Sequence, residues 1–532
     1  MLSSGEISEY DSWDVMHHYS PGSRWWTTTN VGEAAPGVQT PLSFTTWARA
    51  TGPGVTAAGI AIGVFTATDQ YDGEVMVPFF GRSYMSVDFL KLIGERLPGA
   101  TGEQVVGGFI GRVPPDMTFS PTRRFYLNVL RRYPVSMIRL PGLLQAFAEE
   151  QDHWWPEFIA RVAASRVEEG HARALLAEAL RRQYDATVMQ CVGAFAVVQP
   201  MHDVLVRLAD KLGAGDVSRL TTPVGGAETA VIRDIWDASR GRCSVGDVAA
   251  RHGFHGPHEG ELESHVWRED TRPLERVIAQ YGDLDESQSP QRLEAATRQG
   301  RTDALADLVA AAPRILQPAV KRLATLAMDR LKLRGVAKRS MLQGFDAVRA
   351  SARVLGSALT DTQYLDDPDD VFYLTMQELT GPVLADAKEL VARRRSRRAE
   401  YQLLELPGAC AGVPRPIAVS SEPTDRPAMV SGIGVSTGRI EGIARVVTDP
   451  AFGEVEPDEI LVAPTTDPSW ASIMFISAGL VVDIGGPLSH AAVVARELGL
   501  PCVVNTRNGT SVIRTGDRVR LDGDAGTVEI LP

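Results

Sequence analysis

The sequence predicts a multidomain protein: a mainly α-helical body with a β-containing N-terminal part, followed by a small α/β domain. Three observations support this class. The 532 residues exceed what one hydrophobic core organises. Residues 140–400 carry apolar side chains at three- and four-residue spacing, as amphipathic helices do. A Pro-, Gly- and Ser-rich stretch at 406–429 then precedes short strand and helix signals. We therefore expect domains at 1–405 and 431–532, joined by a flexible linker at 406–430.

The composition and net charge of the chain argue against several classes of function. Hydrophobic residues at 44% and charged residues at 23% are typical of a globular protein. The net charge of −12 argues against a nucleic-acid or anionic-membrane surface. No apolar run approaches the ~20 residues of a membrane span, and the first residues are polar and acidic, unlike a signal peptide. The four cysteines contain no CxxC pair and fit neither a zinc site nor a disulfide framework. We expect a cytoplasmic protein with no nucleic-acid or membrane partner.

Near the N-terminus, Trp25 and Trp26 precede a run punctuated by Gly and Pro. This pattern predicts a strand that leads into a binding turn. The two indoles either stack on a flat substrate or pack in a core. Asn30 and Glu33 lie in the predicted turn. Residues 77–84 mix aromatic and polar side chains, which suits either a ligand wall or a packed strand.

In the body, residues 155–164, 167–184 and 318–331 show clear helical periodicity, and residues 251–263 interrupt it. This Gly/Pro-rich loop contains three histidines and three carboxylates, namely His252, His255, His258, Glu259, Glu261 and Glu263. Such a set either binds a transition metal or makes only hydrogen bonds. Its spacing is not the i, i+4 pair of a helical zinc site, so we predict no metal.

A pair of cations follows at Arg334 and Lys338. Four residues apart, they lie side by side on one helix face, where like charges repel unless solvent screens them or an anion lies between them. The pair is therefore either a solvated face or an anion site. Further along, residues 370–375 are predicted to form a strand.

The small domain contains the most distinctive stretch, IGGPLSHAAVVAR. Gly485 and Gly486 allow a tight turn and the close approach of a phosphate. Ser489 is a candidate N-cap, and His490 lies in the first helical turn, where free N–H groups and the helix dipole favour an anion. His490 is either an ordinary residue behind a cap or a phosphoryl carrier. We expect it to be exposed at the tip of the domain.

Residues 461–504 as a whole resemble the swivelling phosphohistidine domain of the phosphoenolpyruvate-utilising enzymes. That family includes phosphoenolpyruvate synthase, pyruvate phosphate dikinase and rifampin phosphotransferase. The resemblance implies that His490 carries a phosphoryl group and that Gly485, Gly486 and Ser489 form its phosphate loop. Leu488 stands where members often have Thr.

The preceding region resembles the acceptor-binding domain of rifampin phosphotransferases, from the Asn30–Glu33 run to the Arg334–Lys338 segment. The resemblance implies that Arg334 clamps phosphoryl oxygens and that Lys338 adds a positive charge. It also implies that Asn30 and Glu33 lie at the cleft. Gly335 replaces a family Glu. Trp25 is a further candidate for acceptor binding.

The loop at 253–259 resembles a Gly-His-Arg-Gly…Glu loop of the same domain, with Glu259 as a candidate acceptor-binding residue. Here Phe254 replaces the family's His, and His255 replaces its Arg. A neutral imidazole accepts a proton from a hydroxyl, which arginine cannot do. His255 or its neighbour His258 is therefore a candidate general base.

No Gly-rich nucleotide loop accompanies these two domains. The resemblance thus implies a split enzyme similar to phenylphosphate and 4-methylphenyl phosphate synthases. A separate ATP-grasp subunit would bind ATP and Mg²⁺ and phosphorylate His490, while this chain binds no cofactor tightly. We expect a subunit of an ATP-dependent dikinase-type phosphotransferase that phosphorylates a phenol or alkylphenol and releases AMP and phosphate. The alternatives are a rifampin-like antibiotic phosphotransferase component, a non-catalytic binding protein, and a lyase or dehydratase.

Overall fold

The computed structural model describes residues 13–29, 31–110, 113–165, 168–214, 217–222, 226–382, 384–417, 427–448, 455–466, 470–486 and 489–531. They form an N-terminal part with a small sheet, a helical body, and a C-terminal α/β domain that packs against the body. This order agrees with the predicted fold class.

The N-terminal part combines short strands with helices. Its elements are β1 Trp25–Thr27, α1 Val31–Ala34, α2 Pro41–Ile62, β2 Met76–Phe79, β3 Arg82–Ser86, α3 Val87–Arg96 and α4 Gly102–Ile110. The antiparallel sheet has the order β2-β3-β1-β4, where β4 is Ala409–Ala411 from after the body. The strand predicted at Trp25 and Trp26 is confirmed. Trp26 is core: it is fully buried, and its indole N–H donates to Ser20 Oγ at 2.7 Å.

The body is helical from Tyr126 onward. Its helices are α5 Tyr126–Ala164, α6 Glu169–Val192, a π-helix Gly193–Val198, α7 Gln199–Leu212, α8 Val217–Thr221, α9 Ala227–Ser239, α10 Val245–His252, α11 Arg272–Gly282, α12 Pro290–Ala311, α13 Gln317–Leu331, α14 Leu333–Asp361, α15 Met376–Thr380 and α16 Ala387–Gln402. Short 3₁₀ turns occupy Arg123–Phe125, Glu286–Gln288 and Pro368–Tyr373. The predicted helices at 155–164, 167–184 and 318–331 correspond to α5, α6 and α13.

Helix α14 is the centre of the body. It packs against α5 and α6, and its middle turns are buried, with Phe345 and Val348 fully enclosed. Gly344 lets it approach α6, because a Cβ there would lie 2.9 Å from Gln183 Cα. At its far end, a Cβ at Gly356 would overlap the carbonyl oxygen of Pro368. The helix crossings therefore depend on small residues.

The strand predicted at 370–375 is wrong, because this segment begins in the 3₁₀ helix Pro368–Tyr373. Asp367 caps the turn by accepting the N–H of Asp369 at 2.8 Å, and Asp370 accepts the N–H of Asp367 at 3.1 Å. Pro at the first position fits a helical turn, since its missing N–H would have no partner there. Local capping outweighs the β propensity of the apolar residues that follow.

The small domain contains one mixed sheet. Its elements are β5 Met429–Ser431, β6 Ile433–Ser436, β7 Arg439–Val446, β8 Ile460–Ala463, α17 Ala471–Ile476, β9 Gly479–Val482, α18 His490–Leu498, β10 Cys502–Val504, α19 Gly509–Val512, β11 Arg518–Asp522 and β12 Thr527–Ile530. The order is β5-β12-β11-β7-β8-β9-β10-β6, with β7 to β10 parallel. The loops after β8 and β9 therefore leave the same edge of the sheet, which is where ligands bind in such sheets.

Two short strands lie within the range predicted as a linker. β4 pairs with β1, aligning Ala411 with Trp25, and β5 pairs with β12, aligning Ser431 with Thr527. The first strand belongs to the body and the second to the small domain. The centre of the predicted linker, residues 418–426, lies outside the described residues.

Among the described residues, one continuous helical stretch, Glu169–Leu212, is long and apolar enough to cross a membrane by length and composition. Half of its most apolar window is buried inside the protein. Core helices pass the same test, and this one packs against α2 and α14.

Gly356→Ala should destabilise the protein by roughly 1–3 kcal/mol, because the added methyl group overpacks the contact between α14 and Pro368. Gly142→Ala on α5 is the matched control. Its Cβ meets no described atom within 4 Å, and alanine favours a helix over glycine by about 0.5–1 kcal/mol. Urea unfolding followed by circular dichroism measures both variants. Equal unfolding midpoints for the two would contradict the packing described here.

Candidate active site

The loop after β9 is fixed to the end of β8. The backbone N–H groups of Asp483 and Ile484 donate to the carbonyl oxygens of Ala463 and Pro464 at 3.1 and 3.0 Å. The Asp483 carboxylate also accepts the Thr506 hydroxyl at 2.7 Å. The loop is therefore held on both sides before it enters α18.

Glycine is required sterically at one of the two predicted positions. A Cβ at Gly485 would lie 3.1 Å from both Ser489 Oγ and Val504 Cβ, tighter than ordinary contact. At Gly486 no described atom lies within 4 Å of that position. Ser489 Oγ accepts the N–H of Ala492 at 3.2 Å, so the predicted N-cap of α18 is confirmed.

His490 opens α18 and faces the helical body. Its expected exposure is wrong: only 2% of the residue is accessible, because the small domain packs against the body. His490 Nδ1 lies 3.1 Å from Thr466 Oγ1, within hydrogen-bond distance. Thr466 follows β8, so the shared edge of the parallel strands brings these two residues together.

The pKa of His490 lies well below its ordinary value. Burial is the main cause, followed by the charges of Lys338 and Arg334 and then by His255. At neutral pH the imidazole is therefore uncharged, and an uncharged imidazole is the nucleophilic form. The structure thus brings together side chains from α14, the 251–263 loop and the small domain, which are far apart in sequence.

Arg334 and Lys338 lie in the first turns of α14, both half-buried. The apolar side of these turns, Leu333 and Ala337, packs against Val197 of the π-helix. Neither cation has an ion pair or a hydrogen bond to any residue that the structure describes. Two half-buried cations without a carboxylate, at the positive end of a long helix, form a site that favours an anion.

The π-helix Gly193–Val198 supports these turns. A Cβ at Gly193 would lie 3.4 Å from Ala337 Cβ, so the two backbones approach closely. Wide π turns of this kind are rare and often occur at functional sites. The side of α14 opposite its cations is therefore held by a rigid helical wall.

His255 and Glu259 form a buried pair, with His255 Nδ1 and Glu259 Oε1 2.5 Å apart. A carboxylate at Nδ1 favours the tautomer whose basic lone pair is on Nε2. Arg349 holds the backbone of the loop that carries this pair. Its guanidinium donates to the carbonyl oxygens of Glu259 and Glu261 at 3.2 and 3.1 Å. Arg349 is fully buried beside Asp346 on α14. The same helix therefore carries the cations and positions the histidine loop.

The other polar groups of this loop turn to separate partners. His252 Nε2 lies 2.7 Å from Asp234, Glu261 accepts the N–H of Thr40 at 2.9 Å, and Glu263 pairs with Arg398. Within the described ranges, no group of three His, Cys, Asp or Glu side chains could hold a metal ion. The loop is thus organised by hydrogen bonds.

The remaining predicted residues lie less directly at this site. His258 has a left-handed backbone (φ 54°), and its carbonyl accepts the N–H of Glu261 at 2.8 Å. His255 is the loop histidine whose charge acts on His490. Trp25 is half-buried in an apolar cluster that also includes Phe195 of the π-helix.

Asn30 and the side chain of Glu33 lie outside the described residues. Helix α1, which contains position 33, nevertheless touches the histidine loop. A Cβ at Gly260 would overlap the carbonyl oxygen of Ala34, so only glycine fits there. Helix α1 and the histidine loop are therefore neighbours in space, and the roles of Asn30 and Glu33 stay predictions.

Two supporting residues were absent from the sequence-based prediction. Thr466 could have been found by aligning the ends of β8 and β9, since parallel strands end at one edge. Arg349 carries no local signal, because it is one of several arginines in an amphipathic helix. Only the tertiary structure shows that it is buried under the loop.

Two stretches of the chain match family models. Residues 158–339 match "Rifampicin phosphotransferase fourth domain", and residues 455–526 match "PEP-utilising enzyme, mobile domain". The first stretch contains His255, Arg334 and Lys338, and the second contains His490. Both sides of the site thus fall within matched stretches.

Several curated proteins are similar to parts of the chain. A rifampicin phosphotransferase of Streptomyces sviceus is 39% identical over 176 residues, 32% of this chain and 20% of that protein. The prodigiosin synthesizing transferase PigC of Serratia marcescens is 42% identical over 149 residues, 27% of this chain and 17% of that protein. An uncharacterized protein of Mycobacterium tuberculosis is 36% identical over 211 residues, 40% of this chain and 25% of that protein. The chain spans a quarter or less of the length of these relatives.

We expect His490→Gln to reduce the pH dependence of stability. In the wild-type protein, His490 stays neutral when folded but takes up a proton below about pH 6.5 when unfolded. Folding stability therefore falls as the pH drops below that value, with a contribution from this residue on the order of 1 kcal/mol at pH 5.5. The variant lacks this loss. Urea titrations of both proteins at pH 7.5 and 5.5, followed by tryptophan fluorescence, measure the difference.

His252 provides an internal check on this measurement. Burial lowers its pKa to about 4, so it contributes a similar loss in both proteins and cancels in the comparison. The buried, neutral state of His490 is refuted if wild type and variant lose equal stability between the two pH values.

Proposed function

We propose that this chain is the phosphoryl-carrying and acceptor-binding part of an ATP-dependent phosphotransferase. The observation that carries the proposal is the meeting of a buried, neutral His490 with Arg334, Lys338 and the His255–Glu259 pair. The matches to the mobile domain and to a rifampicin phosphotransferase domain support the same reaction class.

The first half-reaction charges His490. His490 Nε2 attacks the β-phosphorus of ATP and AMP leaves, while the imidazole proton passes to solvent. Water then breaks the β–γ bond, so that the γ-phosphate leaves as inorganic phosphate and one phosphoryl group stays on Nε2. Thr466 contacts His490 Nδ1 and so orients the ring through that nitrogen. This supports Nε2 as the nitrogen that bonds to phosphorus. Since His490 is buried against the body, charging requires the small domain to leave this position.

The second half-reaction delivers the group at the site described. The Nε2–P bond breaks while a bond forms between phosphorus and the acceptor oxygen, roughly in line. Arg334 is suited to hold two phosphoryl oxygens in its planar fork, and Lys338 adds a compact charge. Their half-buried position strengthens this attraction relative to water.

Proton transfer falls to His255. The acceptor hydroxyl loses its proton to His255 Nε2 as the new P–O bond forms. Glu259, 2.5 Å from Nδ1, stabilises the imidazolium that results. This arrangement requires a histidine at the position where the resembling family has arginine.

The donor is proposed to be an ATP-grasp unit on a separate, cytoplasmic subunit that binds ATP and Mg²⁺. The resemblance of the sequence to the split phenylphosphate and 4-methylphenyl phosphate synthases, whose ATP-grasp and carrier functions lie on separate subunits, supports a separate donor. Mixing experiments decide whether a separate protein supplies the phosphoryl group.

The acceptor is proposed to be a small phenol or alkylphenol. The resemblance of the sequence to the phenylphosphate and 4-methylphenyl phosphate synthases supports this acceptor class. Arg334 and Lys338 suit an acceptor whose oxygen becomes part of a phosphate ester. The similarity to proteins named rifampicin phosphotransferase supports a second candidate, in which a rifamycin hydroxyl is the acceptor.

Acid-labile label from ATP should appear on this chain when it is mixed with an ATP-grasp partner and ATP labelled at the β-phosphate. His490→Ala should remove nearly all of the label, because the variant lacks the nitrogen to which the phosphoryl group would bond. ATP labelled only at the γ-phosphate should leave the protein unlabelled. Label that survives in the alanine variant would disprove the carrier assignment.

Arg334 and Lys338 should affect transfer of the phosphoryl group from His490 to the acceptor, and not the phosphorylation of His490 by ATP. We expect Arg334→Gln or Lys338→Gln to slow transfer from labelled His490 to acceptor by about 10²–10³-fold, while charging stays within twofold. Lys332→Gln is the matched control, because Lys332 is an exposed neighbour that pairs with Asp329 at 3.1 Å. His255→Gln should slow transfer by about 10²–10⁴-fold, because the acceptor hydroxyl then loses its proposed base.

The acceptor panel for this chase contains phenol, 4-methylphenol and rifampicin, with release of inorganic phosphate as the background rate. Transfer to rifampicin alone selects the second candidate. Product formation from the same compounds without ATP would instead identify a lyase or dehydratase. Equal transfer rates in the Arg334 and Lys332 variants would remove the cations from the mechanism.

A further inference from the structure

One apolar cluster extends across the boundary between the helical body and the small domain. Its body side comes from α9 and α11, and its small-domain side includes residues of α17 and α18. A domain that must leave its docked position has to expose this surface, so the contacts here determine how long it stays.

Phe475 of α17 is the small-domain side chain at the centre of the contact. Its ring centroid lies 4.9 Å from that of Tyr281 on α11 and 6.3 Å from that of Trp236 on α9. The two body residues are fully buried, and Phe475 is 9% exposed. Tilted and edge-to-face rings at these distances attract beyond their apolar burial.

The receiving pocket is held together from within the body. The Arg240 guanidinium lies 4.2 Å from the Trp236 ring and donates to the carbonyl oxygens of Tyr281 and Gly282 at 3.0 and 3.1 Å. These contacts join the end of α9 to the end of α11 without help from the small domain. The pocket is therefore a preformed feature of the body.

A polar contact also crosses the boundary. The Thr297 hydroxyl of α12 donates to the Glu497 carbonyl of α18 at 3.3 Å, a long hydrogen bond. Burial of an aromatic side chain in a preformed pocket resists separation more strongly than this one bond. The aromatic contact is therefore a substantial part of the attachment.

We propose that Phe475, seated between Trp236 and Tyr281, is a latch that holds the small domain in the acceptor position and keeps His490 covered. The role of this latch rests on the proposed function, because only a carrier needs to alternate between covered and open positions. The evidence that Phe475 holds the two domains together is the packing, which does not depend on that function. Opening it exposes Phe475 on the same face as His490, so a donor unit has to accommodate an aromatic side chain beside the histidine.

The test compares Phe475→Ala and Phe475→Leu with the wild-type chain. Ile443→Ala is the control, because Ile443 is a half-exposed apolar residue on β7 of the same domain. Amide hydrogen exchange of α9, α11 and α18 reports opening without reference to any reaction. Retained protection in β8 and β9 shows that the small domain remains folded.

Phosphoramidate supplies a second readout. Its P–N bond breaks, a bond forms between phosphorus and His490 Nε2, and ammonia leaves with the imidazole proton. We expect Phe475→Ala to raise both the labelling rate and the exchange rate at least tenfold, Phe475→Leu to raise them less, and the control to match wild type. A change below twofold in the alanine variant's exchange rate overturns the latch. Faster exchange with no label on His490 in any protein supports the latch and counts against the proposed carrier.

Discussion

An electrostatic constraint at His490 governs the arrangement around it. Burial and two neighbouring cations keep the imidazole uncharged. The same cations make no ion pair or hydrogen bond with any described residue. A phosphoryl group on the ring would satisfy both conditions at once, because it brings negative charge to the cations and does not require the ring to be protonated first. The site is thus more complementary to a charged carrier than to an empty one.

Helix α14 positions the charged groups that act on His490. Its first turns carry Arg334 and Lys338, and two turns further on Asp346 and Arg349 anchor the loop that contains His255. One helix therefore carries the cations and holds the backbone of the loop that contains the proposed base. In the proposed reaction, the small domain brings His490 Nε2 to this site on the body.

Local sequence signals predicted what local chemistry determines. The Ser489 cap, the Gly485 turn and the strands of the small domain follow from capping, sterics and periodicity within a few residues. Exposure of His490 was predicted wrongly, since it depends on a partner surface hundreds of residues away. The strand predicted at 370–375 failed because capping by Asp367 outweighed β propensity. Arg349 was invisible for a related reason: its role arises from burial, which no local pattern encodes.

The short strands at the two ends of the predicted linker limit how far the carrier can travel. β4 fixes the chain to the body and β5 fixes it to the small domain, and Ile417 is further bonded to Glu405 at 2.8 Å. Nine residues lie between Ile417 and Pro427, and the ten Cα–Cα steps that join the two span at most ~36 Å. A tether of that length corresponds to an effective concentration in the millimolar range. Return of the small domain to α14 is then a first-order event that dilution does not slow, whereas its encounter with the proposed separate donor would become rarer as the proteins are diluted.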